Sequence, residues 1–220
     1  MTNVYIYKMT VDAGAAPCVT GDILSLAICK PFIRSPAKRD DIILGFAAKS
    51  LCAANSCYRD SCLVYIARVT QNLDGREYFA PSPYAARPDC IYIWDGRRFE
   101  RRSNARFHLE TSDLAHDLGK EPEYNRAHVL LSEGLENFRY FGPDCPVGYK
   151  GHYPHLESMV ERLGQGFRVH NFELGLRDEL RRFTKRLWEE PSAIRLTAVP
   201  DVSCRDKCSH DDEDHEIVDC

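Results

Sequence analysis

Short runs of β-branched and aromatic residues follow one another through the first two thirds of the chain, and any fold of this sequence must pair them into sheet. Val4 to Val11 alternates apolar with polar residues at period two, as a half-buried strand does. Ile23 to Cys29, Ile42 to Phe46 and Leu63 to Val69 are further apolar runs. From Ile91 to Phe99 two such runs flank Asp95-Gly96, which predicts a hairpin, because Asp-Gly accepts the positive φ angles of a two-residue turn. Val129 to Ser132 and Asn137 to Phe141 bring the total to about seven strands. Pro31 excludes helix continuation through Lys30-Pro31-Phe32-Ile33-Arg34, so that segment reads as loop or extended chain.

Beyond Pro143 the period changes. Leu156, Met159, Val160 and Leu163 recur at helical spacing and stop at Gly164. A second helix runs from about Asn171, with Phe172, Leu176, Leu180, Phe183 and Leu187 on one stripe and Arg177, Arg181, Arg182, Lys185 and Arg186 around the rest. The stripe reads as core and the basic face as solvated surface. The class is therefore α+β, and 220 residues suit one domain, placed over 1–195. Residues 196–220 form an acidic tail too poor in apolar residues to pack. Eight acidic and two basic residues lie between Asp201 and Cys220, so the net charge of -4 leaves the rest mildly basic, which permits a polyanionic partner.

With a mean hydropathy of -0.41, no apolar run of spanning length and no signal-peptide pattern, the chain is expected to be soluble and cytoplasmic, with no membrane partner. Its ten Cys lack a framework spacing and are expected to be mostly reduced. Cys204, Cys208, His210 and His215 in the tail are zinc-type ligands, but their spacing fits no standard finger and no apolar shell surrounds them, so no metal is expected. No cofactor is expected either, since the chain has no Gly-x-Ser-x-Gly elbow, no His-Glu-x-x-His, no phosphate-binding Gly-rich loop and no Gly-x-Gly-x-x-Gly. The hairpin region carries Arg97, Arg98, Arg101, Arg102 and Arg106 among Tyr92, Trp94 and Phe99. Cations beside aromatic faces suit phosphate contact with base stacking, or simply a charged sheet edge. Lys30, Arg34, Lys38 and Arg39 form a second basic group.

Several stretches together resemble a known family. Ser25-Leu26-Ala27-Ile28-Cys29-Lys30-Pro31-Phe32-Ile33-Arg34-Ser35, then Ala37 and Asp40-Asp41-Ile42-Ile43-Leu44-Gly45, are similar to the nucleotide modification associated domain 2 family. So are Leu63 to Val69, Asp89 to Trp94, and Val129-Leu130-Leu131-Ser132 leading to Phe138-Arg139-Tyr140-Phe141-Gly142. The likeness covers roughly Val4 to Pro146 and departs from the family pattern at Ala16-Pro17-Cys18-Val19 and at Asp40-Asp41. It implies a part in making or handling modified nucleobases. Lys30 to Val69 also resembles the PUA-like superfamily with its EVE, YTH and ASCH branches, which implies an open β-barrel of about seven strands, followed here by C-terminal helices, and a pocket for a single base.

Three functions are compatible with that resemblance. In the first, the chain binds a nucleic acid or nucleotide carrying a modified base. Trp94, Tyr140 and Phe141 would stack, Ser132 would bond the base edge, and Lys30, Arg34, Lys38, Arg97 and Arg101 would meet phosphate. In the second, it is an enzyme that builds or trims a modified base or nucleotide, with Cys29, Asp41 or His108 reactive. In the third, it scaffolds the partner proteins of a base-modification complex.

Overall fold

The computed structural model describes residues 2–144, 148–164, 167–169 and 174–190. Among them, in chain order, are β1 (Val4–Met9), β2 (Cys18–Thr20), β3 (Ile23–Leu26), α1 (Pro31–Arg34), β4 (Ile42–Ala47), α2 (Lys49–Ala54), β5 (Leu63–Arg68), β6 (Gln71–Asp74) and α3 (Gly75–Tyr78). Then follow β7 (Tyr92–Trp94), β8 (Phe99–Arg101), α4 (Thr111–Leu118), β9 (His128–Glu133), β10 (Phe138–Tyr140), α5 (Pro154–Arg162), β11 (Phe167–Val169) and α6 (Leu174–Glu189).

The strands make three sheets. One has the order β10-β5-β4-β1-β11, one β2-β3-β9-β6, and β7-β8 stands apart as a hairpin. Within the five-stranded sheet β1 and β4 run parallel, with Tyr7 opposite Gly45, while the other pairs are antiparallel. The parallel pair requires a long crossover, and β2, β3 and α1 form it. The fold is thus mixed α+β, with eleven described strands rather than about seven, and these sheets do not close into a barrel.

Alternation along the central strands explains the layering. Tyr5, Tyr7 and Met9 point from β1 toward the four-stranded sheet, where Leu24, Leu26 and Leu130 meet them. Ile6, Leu44 and Phe46 point the other way, against Leu156 and Val160 of α5 and Leu176, Leu180, Phe183 and Leu187 of α6. The α6 stripe is therefore core, as its period predicts; Asn171 and Phe172 lie outside the described residues. A third cluster fills the far face of the four-stranded sheet, where Ile28, Val129 and Leu131 pack on Tyr78, Phe79, Tyr92 and Phe99.

Two local readings are corrected. Pro31 starts a one-turn helix instead of preventing one, since a residue without an N–H loses nothing at the first helical position. The hairpin exists, but its reversal runs over Asp95 to Arg98. Asp95 Oδ1 accepts the Arg97 and Arg98 amides at 2.7 Å each, and of these four residues Gly96 alone has a positive φ, at 97°. Of the described cysteines, Cys18, Cys29, Cys52, Cys57 and Cys90 are thiols, whereas Cys62 is disulfide-bonded. Five of the six described cysteines are thus thiols, in line with the expectation that most are reduced, and Cys62 is the exception among them. The tail ligands Cys204, Cys208, His210 and His215 lie outside the described residues.

Candidate active site

The layering brings the crossover between β3 and α1 against α4, and a chain of polar contacts forms where they meet. Cys29 Sγ lies 3.1 Å from His108 Nε2, and His108 Nδ1 lies 2.6 Å from Asp117 Oδ2. Cys29 is half-buried, His108 is buried just ahead of α4, and Asp117 is fully buried in the last turn of that helix.

Each member is held by backbone or by a buried partner. The Cys29 amide donates to Asp117 Oδ1 at 2.7 Å, and the Tyr92 hydroxyl of β7 donates to Oδ2 at 2.8 Å. The guanidinium of Arg34, wholly buried, lies 4.0 Å from Asp117 Oδ1. Its Nε donates to the Cys29 carbonyl at 2.6 Å, its Nη2 to the Asp117 carbonyl at 2.6 Å, and its Nη1 to the carbonyls of Arg126 and His128. Arg34 therefore ties the Cys29 turn, the end of α4 and the entry to β9 into one unit. Arg101 of β8 supports the third corner, donating to the carbonyls of His108 at 2.8 Å and Glu110 at 2.9 Å.

Backbone conformation sets these residues apart. Cys29 has φ 55°, Lys30 φ 47° and His108 φ 52°, all in the left-handed region that residues with a Cβ rarely occupy. Each such residue costs about 1–3 kcal/mol, and it persists only where surrounding contacts over-determine it, as the Arg34 and Asp117 bonds do here.

Electrostatics fix the charge of Asp117. Burial alone would raise the Asp117 carboxyl, but the hydrogen bond and charge of His108, the charge of Arg34 and the Tyr92 hydroxyl together hold it below the usual carboxylate range. Asp117 is thus an anion, so His108 Nδ1 is the donor of that bond, and Nε2 faces the sulfur, placed to take the thiol proton and leave a thiolate–imidazolium pair. This is the arrangement of a nucleophile, a base and a residue that orients the base.

A metal is the other use of Cys, His and Asp, whose ligand atoms here all lie within 4.8 Å of one another. One imidazole cannot turn both nitrogens to one ion, however. With Nδ1 engaged by Asp117, the sulfur and Nε2 are the two ligand atoms that this group of described residues leaves for a metal, where zinc sites use three or four from protein. The geometry fits a triad better.

The other residues singled out in the sequence are dispersed. Asp41 is buried at a turn, accepting the amides of Asn3 at 2.7 Å and Lys38 at 2.9 Å, away from Cys29 and His108. Arg34, expected at phosphate, is enclosed. Trp94 packs on Phe99 and Tyr124, Tyr140 donates to Asp12 Oδ2 at 2.6 Å, and Phe141 is buried under the C-terminal helices, so the three stacking candidates belong to three different clusters. Ser132 is buried in β9 opposite Leu24. Lys38 and Arg97 are exposed, and Lys30 Nζ stands 5.6 Å from the centre of the Tyr7 ring. Asp117 was not foreseen, nor were the part of the Tyr92 hydroxyl in holding it and the supporting part of Arg101. The signal for Asp117 was faint: Asp113 and Asp117 share a helical stripe with Leu114 and Leu118, which places carboxylates on an inward face.

Comparison with curated proteins and with solved structures finds no match for this chain. Comparison with family models does: the one described as "Nucleotide modification associated domain 2" matches residues 1–192, and with it both the Cys29 turn and α4, so the chain belongs to the nucleotide modification associated domain 2 family.

Proposed function

We propose that the chain is a thiol-dependent enzyme of nucleotide modification, in which Cys29 forms a transient covalent bond to an electrophilic carbon of a nucleobase or nucleotide substrate. The supporting observation is the continuous Cys29–His108–Asp117 relay, with both of its bonds at hydrogen-bonding distance. Membership of a nucleotide-modification family supports the choice of substrate class, and the relay supports the reaction class.

The steps follow from the contacts. His108 Nε2 takes the thiol proton as Cys29 Sγ attacks the carbon, and the anionic Asp117 stabilises the imidazolium so formed. The imidazolium then returns that proton to the leaving group as its bond to the carbon breaks. Water, or an acceptor amine or hydroxyl, gives its proton to the same nitrogen and displaces sulfur from the carbon as a thiolate, and the imidazolium passes that proton on to the departing sulfur, which restores the thiol. Asp117 stays ionised throughout, and Arg34 and Tyr92 hold it in place rather than exchanging protons.

A competing reading, a base-binding module, draws on the same family membership, but its stacking residues do not meet in one pocket. The test uses Cys57, an exposed thiol of the same chain, as internal reference. At about pH 6.5, iodoacetamide is expected to label half-buried Cys29 at least ~10-fold faster than Cys57, as activated thiols react. His108→Ala should abolish that advantage, and Cys29→Ala should abolish conversion of a mixed nucleotide pool as read by mass spectrometry. Labelling of Cys29 no faster than Cys57, or unchanged in His108→Ala, overturns the proposal.

A further inference from the structure

Strand β1 has a second polar position whose role the relay leaves unexplained. Tyr7 and Lys8 point to opposite faces of the sheet, and Lys8 enters a cavity of about 530 Å³ between the end of the five-stranded sheet and α5. Two more lysines line it, Lys49 at the start of α2 and Lys150 ahead of α5. Its acidic residues are Asp60 and Glu161.

Lys8 is buried, a costly position for an ammonium group. It donates to Ser61 Oγ at 2.5 Å, but its carboxylate neighbour Asp60 is 3.8 Å away, and Lys150 stands 3.9 Å from Glu161. Direct ammonium–carboxylate bonds are about 2.7–2.9 Å long, so both pairs are loose and leave donors for another acceptor. Among the described residues three cations face two carboxylates, an excess of positive charge inside a concave site. Burial, and after it the neighbouring Lys150 and Lys49, pull the Lys8 ammonium below its ordinary range against the opposing charge of Asp60. An added anion would offset the mutual repulsion of the three lysines.

We propose that this cavity binds the phosphate chain of a free nucleotide, with Lys8 at its floor and Lys49 and Lys150 at its rim. The volume lies within the range of small-molecule pockets, about 300–1,000 Å³, and exceeds what one phosphate fills. The hydroxyl of Ser61 and the exposed lysines provide the mixture of oriented and mobile donors that a diphosphate or triphosphate takes. The site is separate from Cys29 and stands whether or not the thiol is a nucleophile.

Calorimetric titration of the full chain tests this with inorganic phosphate, pyrophosphate, a deoxynucleoside triphosphate and a short DNA duplex. The triphosphate is expected to bind one to one and more tightly than phosphate. Lys8→Met should weaken it by at least about tenfold, a change of ~1.4 kcal/mol. Because Lys8 is buried, the rim variant Lys49→Gln/Lys150→Gln serves as a second reading that leaves the core untouched, with the same direction expected. Cys29→Ala should bind as wild type does, and the rim variant should keep wild-type labelling of Cys29, which separates this proposal from the thiol reading. No binding at millimolar triphosphate, binding indifferent to both lysine variants, phosphate binding as tightly as triphosphate, or binding of the duplex alone would each overturn it.

Discussion

Replacing Asp117 with Asn tests the relay most directly, because it changes one atom of the carboxylate and almost no volume. Oδ2 accepts from His108 Nδ1 at 2.6 Å and from the Tyr92 hydroxyl at 2.8 Å, while Oδ1 accepts from the Cys29 amide at 2.7 Å. The backbone amide cannot invert, so the Asn oxygen must stay at the Oδ1 position and its NH₂ must face the histidine. The ring answers by taking the other tautomer, with Nδ1 as acceptor and Nε2–H directed at the Cys29 sulfur. A base has then become a donor. An ordinary thiol near pKa 8.5 is only about 1% ionised at about pH 6.5, so labelling of Cys29 should fall by as much as ~100-fold, and turnover by roughly 10⁴, as wrong-tautomer triads lose. The lost charge also leaves Arg34 buried beside a neutral group, a destabilisation of about 3–5 kcal/mol. Pseudo-first-order labelling across a pH series, with circular dichroism to show that the variant is folded, reads both effects. A folded Asp117→Asn protein with an unchanged labelling rate and pH profile would refute the relay.

Four further outcomes follow from the same contacts. Because folding lowers the Asp117 carboxyl, its contribution to stability is complete above the ordinary value near 3.9 and is lost as pH falls through the lower folded value; the gap in Tm between wild type and Asp117→Asn should therefore narrow below about pH 4. Arg101→Ala removes exposed donors that support the His108 loop, and should slow Cys29 labelling by about tenfold while urea unfolding shifts by less than ~1 kcal/mol. Gly45→Ala puts a Cβ within 2.6 Å of Tyr65 Cδ1 and 2.8 Å of Met9 Sδ inside the parallel pair, an overpacking cost of about 1–3 kcal/mol measurable by chemical denaturation. Arg34→Met removes a donor from four carbonyls, of which that of Arg126 keeps the His128 amide at 2.8 Å; at about 1–3 kcal/mol for each of the others before relaxation, the variant should leave little folded protein at about 37 °C by thermal melting.

What the sequence revealed depended on whether a residue's partner lay within its own element. β1, β4, β5 and β9 alternate or run apolar over six residues each, long enough for their own pattern to announce them. β2 has three residues and β6 four, with little buried area of their own, so only pairing with β3 and β9 makes them strands. The same limit hid half the site. Cys29 and His108 stand 79 residues apart, and nucleophile–base pairs are defined by geometry rather than spacing, so each could be noticed but not joined to the other.

The two aspartates show where the limit is sharpest. Asp41 and Asp117 are both buried and both accept backbone amides, and Asp41 even stands beside the more conspicuous motif. What separates them is the use of the second oxygen. At Asp41 both oxygens serve the turn formed with Asn3 and Lys38, so the charge is consumed in holding backbone. At Asp117 one oxygen fixes the Cys29 amide and the other faces an imidazole whose far nitrogen meets a thiol. A carboxylate becomes part of a reaction only when the group opposite it can change its own protonation, and that opposing group is placed by packing α4 against the β3–α1 crossover, a contact no local pattern encodes.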